Sequence, residues 1–170
     1  MQPVPLPLRG ARLIIRPATE ADRRFIVSAW LDSFRDATTA GMIHMDDWYA
    51  VMWPQIVRLL DREGCTTLVA CEPDDSMLYG FICGEVDISR PRSRRQRPPV
   101  VNYCYVKTPY RRWAKPGIAR RLFGAIGIDP QTQFDYTYKT AVVSQLADKI
   151  PLASHQPMLA RFNPGKGYRR

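Results

Sequence analysis

The chain has 170 residues, 45% of them hydrophobic, with 25 Lys and Arg against 16 Asp and Glu for a formal charge of +9. That length supports one sizeable core and is short for two, and no run of about 18 uncharged apolar residues offers a membrane span. The start, Met1 to Leu8, is proline-spaced and lacks the basic and apolar regions of a signal peptide. The expectation is therefore a soluble cytoplasmic protein, with 1–10 as an extension and a single domain over 11–170. Cys65, Cys71, Cys83 and Cys104 stand in apolar, strand-like segments without a CxxC pair and with only two histidines in the chain. They read as reduced core thiols, and no metal site is expected.

In chain order, Ala11 to Arg16 (ARLIIR) is a short β-rich run ended by Pro17, and Thr19 followed by Asp22 resembles a helix N-cap with an acidic first turn. Phe25, Trp30, Leu31 and Phe34 then recur at helical spacing to about Asp36. A second helix is expected from Asp46 to Arg62, with Trp48, Val51, Met52, Ile56, Leu59 and Leu60 on its apolar face, Pro54 kinking or dividing it, and Gly64 as its stop. Thr66 to Cys71 and Met77 to Ile88 read as an antiparallel hairpin around the polar turn 72–76. Ser89 to Pro99 (SRPRSRRQRPP) has no apolar residue except prolines and reads as a mobile basic loop. A strand at Val100 to Val106, a helix at Gly117 to Ile126 and a strand at Phe134 to Thr140 make a βαβ unit, followed by a short helix at Ala141 to Lys149 and a proline-rich, basic tail. The expected class is α/β: one mixed, mostly antiparallel twisted sheet flanked by helices.

The charge is localised. Between Asp87 and Asp129 there are eleven Arg or Lys and no Asp or Glu. Nucleic acid, a nucleotide-like cofactor or an acidic protein would each be drawn to such a field. Within it, Tyr105 to Leu122 packs a strand end, a basic loop and a glycine-led helix start together. The first amides of a helix have no internal acceptor and carry the positive end of its dipole, so Gly117, Ile118 and Ala119 suit a pyrophosphate, with Arg111, Arg112 and Lys115 adding charge.

This stretch resembles motif A of the GNAT acyltransferase superfamily, in which a strand ending in Val leads through a basic loop to Gly-x-Gly or Gly-x-Ala; Gly117-Ile118-Ala119 matches that end. The family has Arg or Gln where Ala114 stands, and Pro116 removes one N–H beside the glycine. ARLIIRPATEAD is similar to the family's first strand and helix start, and the strand order fits to about Lys149. SAWLDSFRD, VACEPDD, LYGFICGE and RFNPG add a looser resemblance to small GNAT-like proteins of tailed bacteriophages, which would place the protein in the host cytoplasm.

The resemblance implies acetyl-CoA or another acyl-CoA as donor, with the pantetheine arm paired to the strand at Tyr105 and Val106, and direct attack of an amine on the thioester. Such attack needs a base or water relay and an acid for the leaving thiolate. Glu85, on the neighbouring strand, is the carboxylate candidate for the base; Tyr138 and Ser144 are the candidates for the acid. His44 and His155 fall in expected loops, and no Gly-x-Ser-x-Gly elbow supports a hydrolase.

The leading expectation is an acyl-CoA-dependent N-acyltransferase. One alternative is a GNAT-like scaffold without catalysis, a phage accessory or virion-associated component, which Ala114 and Pro116 favour. The other is nucleic-acid binding or base modification through Arg90 to Arg97 and the Lys166 to Arg170 tail, although no aromatic residue interleaves with that basic loop.

Overall fold

A computed structural model describes residues 13–36, 39–85, 98–111, 117–129, 131–139 and 152–160. The expected basic loop from Arg90 to Arg97, the expected helix from Ala141 to Lys149 and the tail from Lys166 to Arg170 lie outside them. The elements are β1 (Ile14–Pro17), α1 (Glu20–Asp36), α2 (Met45–Leu60), β2 (Cys65–Cys71), β3 (Leu78–Glu85), β4 (Val100–Val106), α3 (Ile118–Ala125), β5 (Phe134–Tyr136) and β6 (Ala153–His155). Short 3₁₀ turns stand at Thr39–Met42, Thr108–Tyr110 and Pro157–Ala160. No described helix is long and apolar enough to cross a membrane.

The strands form one six-stranded sheet in sequence order, antiparallel from β1 through β4 and parallel at β4–β5 and β5–β6. Helices cover both faces, which is why β2 and β3 are nearly continuous in apolar residues instead of alternating with polar ones. Val69, Cys71, Phe81, Cys83 and Tyr103 face α1 and α2 and meet Trp30, Leu31, Ile56 and Leu59. Leu68, Ala70, Ile82, Val101 and Val106 face α3 and meet Ile118, Leu122 and Ile126.

The start of α1 follows the sequence expectation closely. The Asp22 carboxylate accepts from the Thr19 backbone N–H at 2.7 Å and from the Thr19 hydroxyl at 2.9 Å, so it reaches back over the first turn as the acidic member of a capping box. The same carboxylate takes two bonds from the Arg16 guanidinium, at 2.7 and 3.1 Å, tying β1 to α1. Arg16 also reaches Asp75 in the β2–β3 turn at 2.8 Å.

Three expectations are corrected. Pro54 neither divides nor ends α2, which runs unbroken through it; the residue is exposed, so the Ala50 carbonyl it leaves without an N–H partner lies on the solvent side. The strand expected from Phe134 to Thr140 stops at Tyr136. Finally, β6 lies in what reads as an irregular tail. Ala-Ser-His has no β-branched or large apolar residue, and its strand form comes from pairing in parallel with β5, with Phe134 N–H bonded to Leu152 O and Gln156 N–H to Tyr136 O. His155, expected in a loop, sits on that strand with its ring stacked on Tyr136 at 5.0 Å. His44 is the N-cap of α2, its Nδ1 accepting from Asp46 N–H.

Asp22 gives a stability test with a defined sign. Arg16 and then Thr19 hold its carboxyl below the ordinary range, against the opposing effect of burial. A group with a depressed folded pKa contributes stability that is complete above its unfolded value, about 4, and is lost as the pH falls through the lower folded value. Asp22→Asn should cost about 2 kcal/mol near neutral pH, and the gap to the wild type should close on acidification. Urea midpoints for both proteins at neutral and strongly acidic pH check this; a gap that persists in acid would show that the carboxylate charge is not what stabilises the turn.

Candidate active site

The candidate site forms where β4 leaves β5. Cys83 pairs with Tyr103 but Gly84 pairs with Val101, so Asn102 is an extra residue in β4, a β-bulge. Its effect can be followed in the hydrogen bonds. Before the bulge, the Val101 carbonyl faces β5 and accepts from Thr137 N–H at 3.2 Å. After it, Lys107 N–H faces β3 and bonds Tyr79 O at 2.9 Å. Because successive residues of an antiparallel strand present their polar groups to opposite sides, Tyr103 and Tyr105 also face β3, while Cys104 and Val106 face away from it. On that side β5 pairs only with Val100 and Val101. The backbone of Cys104 and Val106 therefore lines an opening between diverging strands.

The next helix in the chain after this edge is α3. From Val106 the chain makes the 3₁₀ turn, whose Tyr110 is buried edge-on to Tyr79 at 4.8 Å, and re-enters at Gly117, the N-cap of α3. The first bond of α3 runs from Arg121 N–H to Gly117 O, which leaves the preceding amides at Ile118, Ala119 and Arg120 for an outside acceptor. The first turn carries no acidic residue. Ile118 and Leu122 are fully buried and fix the helix on the sheet. Arg111 is exposed and braces the turn through Nε–H to Val106 O at 3.1 Å. Lys107 adds a half-buried cation at the strand end, 5.1 Å from the centre of the Phe25 ring, and burial lowers its pKa.

On the face of the sheet covered by α1, β4 carries an aromatic cluster. Trp30 stacks on Tyr103 at 4.7 Å, and Tyr138 stands edge-on to Phe34, Trp30 and Tyr103 at 4.9, 5.4 and 6.1 Å. The Tyr103 hydroxyl lies 2.9 Å from the Ser33 hydroxyl, which donates to the Ala29 carbonyl one turn back in α1. Burial pushes the Tyr103 phenol well above its ordinary pKa, so it stays neutral and can act only as a hydrogen-bond donor or acceptor.

The sequence candidates are placed unevenly. Tyr105, Val106, Arg111, Gly117, Ile118 and Ala119 fall at the strand end and helix start, whereas Tyr138 packs on the α1 face of the sheet against Trp30, Phe34 and Tyr103. Bulge parity turns the Tyr105 backbone toward β3, so Cys104, not named from the sequence, takes its place on the open edge. Arg112, Lys115 and Ser144 lie outside the described residues, as do Ala114 and Pro116. Glu85 is not at the opening. It pairs with Val100 at the start of β4, whereas the opening begins beyond Asn102, and its carboxylate is bonded at 2.6 Å to the buried Arg62 guanidinium. Arg62 in turn donates to the carbonyls of Leu159 and Ala160, at 3.0 Å each. This carboxylate anchors Arg62. Ser33, Trp30, Asn102 and Tyr103 were missed; the one available signal was an asparagine inside an otherwise apolar and aromatic strand, VVNYCYV.

No protein-family model matches the chain, and no curated protein matches its sequence. Solved structures do match. A putative acetyl transferase from Pyrococcus furiosus is 11% identical over 94% of this chain and 95% of its own, with a TM-score of 0.55. The fold is the GNAT fold. An aminoglycoside antibiotic 6'-N-acetyltransferase from Acinetobacter baumannii is 16% identical, over 94% of this chain and 96% of its own, with a TM-score of 0.49. The third match is the glucosamine N-acetyltransferase region of a fungal multi-domain beta-N-acetylglucosaminidase, with 14% identity and a TM-score of 0.45. It covers 70% of this chain, which spans only 12% of that fungal protein.

Truncating Glu85 tests the anchor. Glu85→Ala leaves Arg62, whose side chain is 4% exposed, without its counter-charge, and should cost about 3 kcal/mol of stability. Urea midpoints of the wild type and the variant at neutral pH check this; an unchanged midpoint would show that the pair does not anchor β3.

Proposed function

We propose that the chain is an acyl-CoA-dependent N-acyltransferase that transfers an acyl group, in the first instance acetyl, to an amine. The observation that carries this reading is the chain order: β4, whose Cys104 and Val106 lie beyond the residues paired with β5, is followed in the sequence by a basic segment and then by the glycine-led start of α3. A pantetheine amide needs main-chain partners along an extended path, and a pyrophosphate needs a cluster of N–H donors with no carboxylate nearby. Both requirements are met in that order, and no Asp or Glu occurs between Asp87 and Asp129.

In this reading Cys104 and Val106 hold the pantetheine arm, with Tyr105 lining it by its ring. Gly117, Ile118 and Ala119 hold the pyrophosphate, and Arg111, Arg112 and Lys115 add charge. The acceptor amine attacks the thioester carbon directly, and the sulfur leaves as a thiolate that takes a proton. Tyr138, half-buried beside Tyr103, is the acid we assign; Ser144 is the substitute. With Glu85 bound to Arg62, proton removal from the amine falls to a water relay. That engagement of Glu85 also favours a second reading, a GNAT-like binding protein without catalysis, for which the resemblance to phage proteins supplies a setting.

Calorimetry with acetyl-CoA tests the assignment. Saturable one-to-one binding is expected, weakened at least about tenfold by Gly117→Glu, whose carboxylate would take the place of the phosphate among the helix amides. Absence of binding would remove the enzyme reading, and unchanged affinity in Gly117→Glu would move the cofactor elsewhere. Tyr138→Phe should keep acetyl-CoA affinity and lower kcat about a hundredfold with any amine the wild type accepts. An unaffected kcat would release Tyr138 from the acid role, and binding without turnover across amine classes would favour the binding protein.

A further inference from the structure

On the face of the sheet covered by α1 and α2, at the closed end of the opening, two thiols meet. Cys65 is the first residue of β2 and Cys83 lies in β3; the register pairs Cys65 with Glu85 and Thr67 with Cys83, so the two cysteines are diagonal neighbours on adjacent antiparallel strands. Their sulfurs are 3.3 Å apart. A disulfide needs about 2.05 Å, so the sulfurs must close by about 1.2 Å, and Cys65 stands at a strand end directly after Gly64, whose φ of +79° marks the chain turning out of the helical region. Cys65 is partly exposed and lines a surface cleft of about 250 Å³ with Thr19, Arg23, Ile26 and Leu60, whereas Cys83 is fully buried.

The surroundings make the two sulfurs unequal. The Cys83 thiol, as hydrogen-bond donor, favours a thiolate at Cys65, assisted by the Asn102 amide and the Arg62 guanidinium against burial and the Glu85 charge. Cys83 is pushed the other way, first by Cys65 and then by its own burial. The Asn102 Nδ2 is itself buried without an acceptor, a costly arrangement that a neighbouring anionic sulfur would relieve. The outer cysteine is therefore suited to attack and the inner one to resolve.

We propose that Cys65 and Cys83 form a thiol–disulfide exchange site, with Cys65 as the attacking sulfur, Cys83 as the resolving sulfur and a low-molecular-weight disulfide of the glutathione class as the oxidant. In the first step the Cys65 thiolate bonds to one sulfur of the glutathione disulfide, whose S–S bond breaks and releases one glutathione thiolate. In the second, the Cys83 thiol gives its proton to the departing thiolate and bonds to the Cys65 sulfur, breaking the mixed disulfide. Two protein thiols are oxidised, and one small disulfide is reduced to two thiols. The site stands on its own geometry and does not depend on the acyltransferase reading.

The test uses the whole reduced protein in graded mixtures of oxidised and reduced glutathione. Trypsin finds no cleavage site between Arg62 and Arg90, so chymotrypsin is added to cut at Tyr79 and Phe81 before mass spectrometry without reduction. The dominant disulfide should join Cys65 to Cys83 and reopen with dithiothreitol, while Cys71 and Cys104 stay reduced. In Cys83→Ala one glutathionyl group should remain on Cys65. In the wild type that same adduct should appear transiently before the cross-link, an arm that needs no variant to fold. Absence of the Cys65–Cys83 bond in protein that retains its native circular dichroism, or equal modification of Cys71 and Cys104, would overturn the proposal.

Discussion

One extra residue in β4 decides what the rest of the molecule can do. Without Asn102 as a bulge, the polar groups of β4 would keep one parity along the strand, and β4 would have no built-in reason to part from β5. With it, the strand turns over once: Val101 faces β5, Lys107 faces β3, and the intervening edge at Cys104 and Val106 is released. The neighbouring strand accommodates the change because it carries no side chain there. A Cβ at Gly84 would stand 2.7 Å from the Val100 carbonyl, and one at Gly80 would run into the Tyr105 carbonyl. Two glycines on β3 let the bulged strand lie close without strain.

The two ends of β4 consequently have different physical characters. Its beginning is held by β5, by the Arg62–Glu85 pair and by the Thr137 hydroxyl bonded to the Asn102 carbonyl at 3.2 Å. The Arg62–Glu85 and Thr137–Asn102 groups here are matched to one another, while the Asn102 Nδ2 is buried without an acceptor. Beyond the far end come the 3₁₀ turn at Thr108–Tyr110 and, further along the chain, the N-terminus of α3.

Legibility from sequence followed how local each interaction is. The Thr19–Asp22 box, the β2–β3 hairpin, β4 and the helix start at Gly117 are set by residues a few positions apart, and all were readable. The pair of Glu85 with Arg62 was not legible because Arg62 lies in the turn after α2, and no spacing rule connects them. Tyr103 and Ser33 are 70 residues apart, and their hydroxyl pair exists only once α1 is laid on the sheet. Asn102 was visible as an anomaly in its strand, but whether an isolated asparagine makes a bulge or a buried hydrogen bond depends on what faces it.

The sequence by itself determined the element order, the α/β class, the localisation of charge around 90–121 and the glycine-led helix that follows β4, because each depends on periodicity, turn chemistry or composition within a short window. The tertiary structure decided which part of β4 pairs with β5, that Glu85 pairs with Arg62, that Ala153–His155 becomes a strand, and that Cys65 and Cys83 meet. Those outcomes depend on strand register, and register is a property of two segments at once.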